Sequence, residues 1–254
     1  MRPVVNLLRL TGLPIRYQLA LEEALLRATQ QNWIIINDGA FQPAIVMGIS
    51  GRAEEMLHVQ RAKEAHMQVL KRFTGGGTVV VDSNTIFATL IFQSSSLPHI
   101  ECFPQPIMRW TEYFYKHVFH DRPDFAMREN DYVFGQVKFG GNAQAITGRR
   151  WLHHTSLLWD YDPAHMALLK NPSRAPKYRQ ARTHADFLVP LKDAMHCPRD
   201  QLVQRITHAA HSALPGFQVQ EQSLSEASRA MAQNKQWGTK MVDLDQVLRD
   251  KPEH

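Results

Sequence analysis

The sequence predicts an α+β protein with mixed, mainly antiparallel sheets flanked by helices. Three observations support this prediction: short β-rich runs follow one another, amphipathic stretches interrupt them, and a long strand meander begins near residue 130. Strands that come in runs, rather than in regular alternation with helices, favour antiparallel pairing. The glycine-rich stretches match neither the Walker A motif nor G-x-G-x-x-G, so the parallel nucleotide-binding folds that carry them are not supported.

In the first third of the chain, "VVNLLRL" indicates a strand, and apolar residues at helical spacing predict a helix over residues 15–31. "WIIIND" and "PAIVMGIS" predict two short strands that pair around a Gly/Pro turn. A second helix is predicted over residues 54–70. It is followed by strands in "TVVV" and "TIFATLIF", which the turn "DSN" joins.

In the rest of the chain, a helix is predicted over residues 106–119, and residues 130–162 indicate a meander of strands with Gly-rich turns. Pro198 and Asp200 lie where a helix N-terminus prefers them, so residues 198–214 predict a helix. Residues 225–238 predict one more short helix.

The totals describe an ordinary globular chain. Its 254 residues suffice for one large domain or two small ones. A net charge of +5 favours an anionic partner, although a basic enzyme without such a partner is an equally good interpretation. No apolar run approaches the roughly 20 residues of a membrane span. The first 21 residues carry three arginines and no acid, so a transit peptide is the alternative to an initial strand. We expect a cytoplasmic protein, and an organelle is the alternative that a transit peptide would imply.

The glycines Gly75, Gly76 and Gly77 immediately precede a strand and follow Arg72. Glycine lets backbone N–H groups approach a ligand closely, and consecutive N–H groups can cradle an anion. A guanidinium beside such a turn suits phosphate or carboxylate. Taken on their own, three glycines are better explained by a plain hairpin turn, and it is Arg72 just upstream that favours an anion site.

A second segment, "KFGGNA", brings Lys138 into another Gly-rich turn at Gly140 and Gly141. Two segments that each pair a cation with bare backbone suggest one shared anionic ligand. Asp131 could accept a hydrogen bond from an amine or a base edge. An exposed strand lysine is the alternative for Lys138.

The adjacent histidines His153 and His154 lie on a predicted strand, so their side chains point to opposite faces and are poor joint metal ligands. His208 and His211 have ligand-compatible helical spacing but lack an evident third partner. We therefore predict no metal site built from protein ligands.

Other reaction classes are weakly supported. A serine hydrolase is unsupported because G-x-S-x-G does not occur. A Cys/His nucleophile is also weakly supported, since Cys102 and Cys197 lie in Pro-marked loops away from the glycine segments. "APKYRQARTHADF" is the best candidate for nucleic-acid binding, but it fits a loop over a nucleotide equally well.

Taken as a set, these segments resemble lipoate–protein ligases. "RFTGGGTVVVDSN" resembles their RxSGGGxVxHD stretch, "KFGGNAQ" their KxSGxAQ and "LHHTSLL" their HHGTLL, in the same order. The likeness is greatest to a plant-type branch and extends to about residue 190. It implies the catalytic domain shared with biotin–protein ligases. We expect one such domain over residues 1–254, without the small C-terminal accessory domain of larger ligases.

The resemblance implies a two-step reaction. ATP and lipoate form lipoyl-adenylate, and a lysine of an acidic lipoyl-domain acceptor then takes the lipoyl group. Mg²⁺ would accompany ATP, held mainly by phosphates and water. A separate accessory protein is a further implied partner; nucleic acid and membrane are not.

The resemblance also assigns residues. Lys138 takes the catalytic role, as a cation that stabilises developing charge. Substrate and adenylate contacts fall to Arg72, Thr74, Gly75, Gly76, Gly77, Val79, Asp82, Asp131, Gly140, Asn142, His154, Ser156 and Arg182.

Three departures from the family pattern keep alternatives open. Val81 stands where the family has a histidine, Thr155-Ser156 replace Gly-Thr, and Gln144-Ala145 stand where an arginine often follows. One alternative is an octanoyl or lipoyl transferase of the same fold, which would need a cysteine near Lys138. Another is a non-catalytic lipoyl- or nucleotide-binding protein. A biotin ligase is less well supported because its GRGRxGR loop is missing.

Overall fold

The computed structural model describes residues 2–172 and 175–250. The strands are β1 (Val4–Thr11), β2 (Asn32–Asp38), β3 (Ala44–Met47), β4 (Gln68–Lys71), β5 (Val79–Val81), β6 (Thr85–Gln93), β7 (Phe125–Arg128), β8 (Asp131–Phe134), β9 (Val137–Thr147), β10 (Arg150–Leu158), β11 (Gln218–Glu221) and β12 (Lys240–Met241). The helices are α1 (Ile15–Ala28), α2 (Ala53–Met56), α3 (Val59–Glu64), α4 (Pro104–Val118), α5 (Pro163–Met166), α6 (His184–Phe187), α7 (Leu191–Ala194), α8 (Arg199–Ser212), α9 (Leu224–Gln233) and α10 (Leu244–Arg249).

Two mixed sheets form the frame. The large sheet has the order β11-β1-β2-β6-β10-β9-β8-β7, in which β1 pairs in parallel with both of its neighbours, β11 and β2. The small sheet has the order β12-β4-β3-β5, with β3 and β4 parallel. The predicted α+β class with mainly antiparallel sheets flanked by helices is confirmed, as are the meander and the initial strand.

Helices cover both faces of the large sheet. On one face, α4 and α8 bury a core rich in aromatic rings, in which Trp110, Phe92 and Trp151 pack within 5.2–5.7 Å of one another. On the other face, α1 and α9 cover a second cluster that includes Leu8, Trp33 and Ile91. Burial of these faces is the main stabilising contribution.

Two predictions about the first half of the chain are wrong. The strands β2 and β3 do not pair with each other, because β2 lies between β1 and β6 in the large sheet and β3 lies in the small one. Residues 54–70 form two short helices and then β4. The helical pattern ends at His66, whose φ is 50°, because the apolar run after it supplies a partner for β3.

Two further differences concern the end of one helix and a strand at the edge of the large sheet. The predicted helix over 225–238 ends at Gln233, after which the chain extends into β12 and α10. The short edge strand β7 was not predicted. None of the helices in residues 2–172 and 175–250 combines the length and apolar character that crossing a bilayer requires.

Candidate functional site

A cavity of about 1240 Å³ lies between the two sheets. The small sheet and its glycine loop contribute Val46, Arg72, Gly76, Gly77 and Val79. The large sheet contributes Phe87, Lys138, Phe139, Gly140, Asn142, His154, Ser156 and Leu157. The two Gly-rich segments that the sequence singled out therefore face one cavity.

In the glycine loop, residues 75–77, backbone conformation and packing require a glycine at one position and not at the other two. Gly76 has a φ of 97°, and a Cβ there would lie 2.7 Å from Nη2 of Arg72. At Gly75 and Gly77 a Cβ would meet no atom of the chain within 4 Å. The bare backbone at these two positions is therefore not explained by packing within the protein, and it leaves room beside the cavity.

Arg72 is buried, and its guanidinium holds this loop through hydrogen bonds. Its Nη2 donates to the carbonyl of Gly75 at 2.6 Å, Nη1 donates to the carbonyl of Val46 at 3.2 Å, and Nε donates to Thr74 Oγ1 at 2.8 Å. Burial lowers the pKa of Arg72 to about 10, an effect that the charge of Glu22 partly opposes. The guanidinium stays charged near neutral pH, so the loop carries a fixed positive charge.

From Thr74 a chain of polar contacts runs into the core. The Thr74 hydroxyl lies 3.3 Å from His154 Nε2, and His154 Nδ1 lies 2.9 Å from Glu22 Oε2. Glu22 Oε1 accepts from the Thr89 hydroxyl at 2.6 Å and from Gln18 Nε2 at 3.0 Å. Donors and acceptors match along this chain when His154 is the neutral tautomer that carries its proton on Nδ1.

Glu22 is a site residue that the sequence analysis missed. It is fully buried on α1. The signal lies in the helical spacing: Ile15, Gln18, Leu19 and Glu22 follow the pattern i, i+3, i+4, i+7 and share the buried face. A carboxylate on the apolar face of a helix needs hydrogen-bond partners, and here they come from Gln18 on the same helix, Thr89 on β6 and His154 on β10.

On the opposite wall, Lys138 Nζ lies 2.7 Å from Asp131 Oδ1, and both side chains are mostly buried. The other carboxylate oxygen of Asp131 accepts from the Tyr178 hydroxyl at 2.9 Å. Burial and the charge of Asp131 raise the pKa of Tyr178 well above its usual range. Both oxygens of the Asp131 carboxylate are therefore engaged, and one of them fixes the ammonium of Lys138 at the cavity wall.

The register of β9 and β10 arranges the remaining residues. Gly141 pairs with Ser156, Asn142 with Thr155 and Ala143 with His154. Ser156 Oγ donates to the carbonyl of Gly141 at 3.4 Å, and Asn142 Nδ2 donates to the carbonyl of Asn130 at 2.7 Å. These contacts close the wall beside Lys138.

The two adjacent histidines point to opposite faces, as the strand position predicts. His153 lies in the core, where Gln144 Nε2 lies 3.1 Å from its Nδ1 and the Tyr132 hydroxyl lies 3.0 Å from its Nε2. Burial, and secondarily the neighbouring His154, lower the pKa of His153 to about 3. Gln144, which stands where an arginine often occurs in the family pattern, therefore contacts the buried ring of His153.

Two of the predicted site residues lie away from the cavity wall. Asp82 forms the turn between β5 and β6, where its Oδ1 accepts from the backbone of Asn84 at 2.8 Å. Arg182 donates to the carbonyl oxygens of Arg179 and Tyr178. The cavity wall instead includes Arg179, which lies in the segment that the sequence offered either as a nucleic-acid contact or as a loop over a nucleotide. Thr74 and Gly75 adjoin the wall through their bonds to Arg72.

Neither cysteine lines the cavity. Cys197 is buried in the aromatic core, where desolvation raises the pKa of its thiol, and Cys102 packs at the edge of that core. In residues 2–172 and 175–250, no three His, Cys, Asp or Glu side chains are grouped as a metal site.

Comparison with known proteins shows related chains. A Plasmodium falciparum protein named inactive lipoate–protein ligase 2 is 29% identical over 205 residues, a match that covers 66% of this chain and 53% of that protein. The bi-partite lipoate protein ligase of Thermoplasma acidophilum, solved in work on that ligase and its E2 lipoyl domain, superposes with a TM-score of 0.75 at 20% identity, covering 91% of each chain. A lipoate-protein ligase A bound with ATP gives a TM-score of 0.74 at 19% identity, covering 94% of this chain and 98% of that one.

These likenesses establish the fold, and the family follows from the sequence. The chain spans about half the length of the Plasmodium relative. The family model described as the lipoyl protein ligase A/B catalytic domain matches residues 14–211, more than half of the chain. The protein therefore belongs to the lipoyl protein ligase A/B catalytic domain family.

Proposed function

We propose that the chain is an ATP-dependent lipoate–protein ligase. The observation that carries this proposal is the position of Lys138, which Asp131 holds at 2.7 Å in a cavity whose other wall is the glycine loop. A cation fixed by a carboxylate on one side and open backbone on the other suits an acyl-phosphate ester. A relative bound to ATP and another bound to lipoic acid support the same assignment.

In the proposed first step, a carboxylate oxygen of lipoate attacks the α-phosphorus of ATP. The bond from that phosphorus to the bridging oxygen breaks, and pyrophosphate leaves. Charge develops on the phosphoryl and carbonyl oxygens, where the ammonium of Lys138 stabilises it without reorientation because Asp131 already holds it. Gly75 and Gly77 leave space for the ligand to contact backbone.

In the proposed second step, the ε-amine of an acceptor lysine attacks the acyl carbon, AMP leaves, and the amine loses a proton. Mg²⁺ would travel with the ATP phosphates. The carboxylate of Asp131 has both oxygens engaged by Lys138 and Tyr178, so phosphates and water would supply most of the ligands.

The transferase of the same fold is the less favoured alternative. Its acyl carrier would be a cysteine, and both cysteines lie outside the cavity wall. The second alternative is a binding protein without activity, as the name of the Plasmodium relative indicates for that protein.

ATP–pyrophosphate exchange in the presence of lipoate, octanoate or biotin separates these functions. Lipoate-dependent exchange is the expected result. Octanoyl transfer from a carrier protein without exchange would replace the proposal by the transferase, and ligand binding with neither reaction would identify a binding protein.

For the acceptor, we propose an acidic lipoyl domain. The net charge of +5 steers such a partner, and charges at the rim act mainly on the association rate. Chemically prepared lipoyl-adenylate, added with an acceptor domain across a salt series, tests this step without ATP. Transfer should slow as ionic strength rises towards about 0.15 M, where screening acts over roughly 8 Å. Transfer from the prepared adenylate without exchange would show that a separate protein performs the first step.

A further inference from the structure

The last part of the chain returns to the small sheet next to Arg72. Residues 238–249, here called the strap, contain β12 and α10. Lys240 pairs with Lys71 and Met241 with Leu70, and the backbone of Val242 donates to the carbonyl of Val69 at 2.9 Å. The strap lies outside residues 14–211, the segment that the family model matches.

Glu23 fastens the beginning of the strap. It is fully buried on α1, and its two carboxylate oxygens accept from the backbone N–H groups of Gly238 at 2.7 Å and Thr239 at 3.2 Å. A third donor, Arg27 Nε, lies 3.0 Å from the same carboxylate. A buried carboxylate with three N–H donors is a strong fixed contact.

Gly238 brings the strap against the residue between Arg72 and Thr74. A Cβ at Gly238 would lie 2.9 Å from Cβ of Phe73 and 3.1 Å from Oε1 of Glu23. Phe73 is buried, and the guanidinium of Arg27 lies 5.9 Å from the centre of its ring. The strap therefore contacts the chain on both sides of Arg72, through the ladder at Lys71 and through packing at Phe73.

We infer that the strap, fastened by Glu23, positions Arg72 and through it the glycine loop. Glu23 and Gly238 are positioning residues, since neither of them lines the cavity. The inference rests on the proposed function only where it predicts an effect of the strap on activity. Its effect on the loop itself does not depend on any ligand.

The first test is hydrogen exchange of the full chain without ligand. Gly238→Val should make the amides of residues 69–78 exchange about tenfold faster or more, while α4 keeps its wild-type protection, because the strap detaches locally. Glu23→Gln, which keeps one acceptor oxygen and the side-chain volume, should give a smaller change in the same segment. Gly216→Val is the matched control, since a Cβ at Gly216 meets no atom within 4 Å.

Unchanged exchange at residues 69–78 in both variants would overturn the inference. Equal acceleration in α4 would also overturn it, since the strap would then stabilise the whole fold rather than the loop. In lipoyl-adenylate formation, the KM for ATP should rise about tenfold in Gly238→Val with kcat retained, because only a fraction of molecules holds the competent loop. An inactive wild type would count against the proposed function and leave the exchange test decisive for the strap.

Discussion

His154 Nδ1 lies 2.9 Å from Oε2 of Glu22, a residue 132 positions earlier in the chain, and both side chains are buried. This contact joins α1 to the strand that forms the cavity wall. It also orients the His154 ring, whose Nε2 lies 3.3 Å from the Thr74 hydroxyl. The orientation of the glycine loop thus depends on a carboxylate on the far side of the histidine.

We expect Glu22→Ala to destabilise the protein by about 1–3 kcal/mol or more, because it leaves the buried donors of Gln18, Thr89 and His154 without their acceptor. Glu22→Gln should cost less, since its carbonyl can still accept from Thr89. Urea unfolding measures both. The control is Glu221→Ala, which removes an exposed ion pair with Arg9 and should cost less than about 1 kcal/mol. Equal effects of Glu22→Ala and Glu221→Ala would show that the buried contact adds no stability.

We expect Lys138→Ala to lower lipoyl-adenylate formation by roughly 100-fold or more, the scale for loss of one electrostatic stabiliser. The unfolding midpoint should fall modestly, because the mostly buried Asp131 loses the partner of its ion pair. Lys192→Ala, which removes an exposed lysine paired with Asp160, is the control and should leave the rate unchanged. A near-normal rate for Lys138→Ala would remove this residue from the reaction.

The glycine loop allows a sharper comparison. Gly76→Ala places a Cβ against Arg72 at a positive φ, so it should lower stability by about 1 kcal/mol or more. Gly77→Ala meets open space, so it should leave the stability unchanged but raise the KM for ATP or lipoate. Thermal unfolding and exchange kinetics distinguish the two. Wild-type kinetics for Gly77→Ala would mean that no ligand approaches the backbone there.

His153 predicts a pH dependence of stability. Its pKa falls from 6.5 to about 3 in the folded state, so the unfolded chain binds a proton that the folded chain does not. Stability from this group is complete above pH 6.5 and is lost as the pH falls towards about 3. The slope from this one group approaches 1.4 kcal/mol per pH unit, at about 25 °C. Urea unfolding between pH 6.5 and about 5 should show a shallower slope for His153→Gln, and an identical slope would refute the assignment.

The cysteines supply a test of reaction class. Cys102→Ser and Cys197→Ser, singly or together, should retain ATP-dependent lipoyl transfer, because neither thiol lines the cavity. Cys197→Ser should lose some stability, since it buries a hydroxyl in the core. Octanoyl transfer that vanishes with either change would identify the transferase instead.

The parts of the site that the sequence predicted are those carried by local pattern. Glycines beside Arg72, a lysine entering "KFGGNA" and two adjacent strand histidines each depend on neighbours in the chain. Their positions could be inferred from strand alternation and from the conformations open to glycine.

What could not be predicted depends on residues distant in the chain. The partners of Glu22 are at Thr89 and His154, and Glu23 binds the backbone at Gly238. The separation of β2 and β3 into different sheets has the same origin, because each strand has partners elsewhere in the sequence. Residues 68–71 illustrate a further limit: a short apolar run fits helix or strand until its neighbour is known.

The position of the cavity between the two sheets has a consequence for how long a ligand stays. Arg72 and Gly77 belong to one side, and Lys138 and His154 to the other. A molecule that contacts both sides must give up contacts on both sheets when it leaves, so its residence time should depend on how the two walls are held relative to each other as well as on any single contact. A reactive intermediate with contacts on both sides would be covered from solvent by two walls at once, which would slow its hydrolysis before an acceptor arrives.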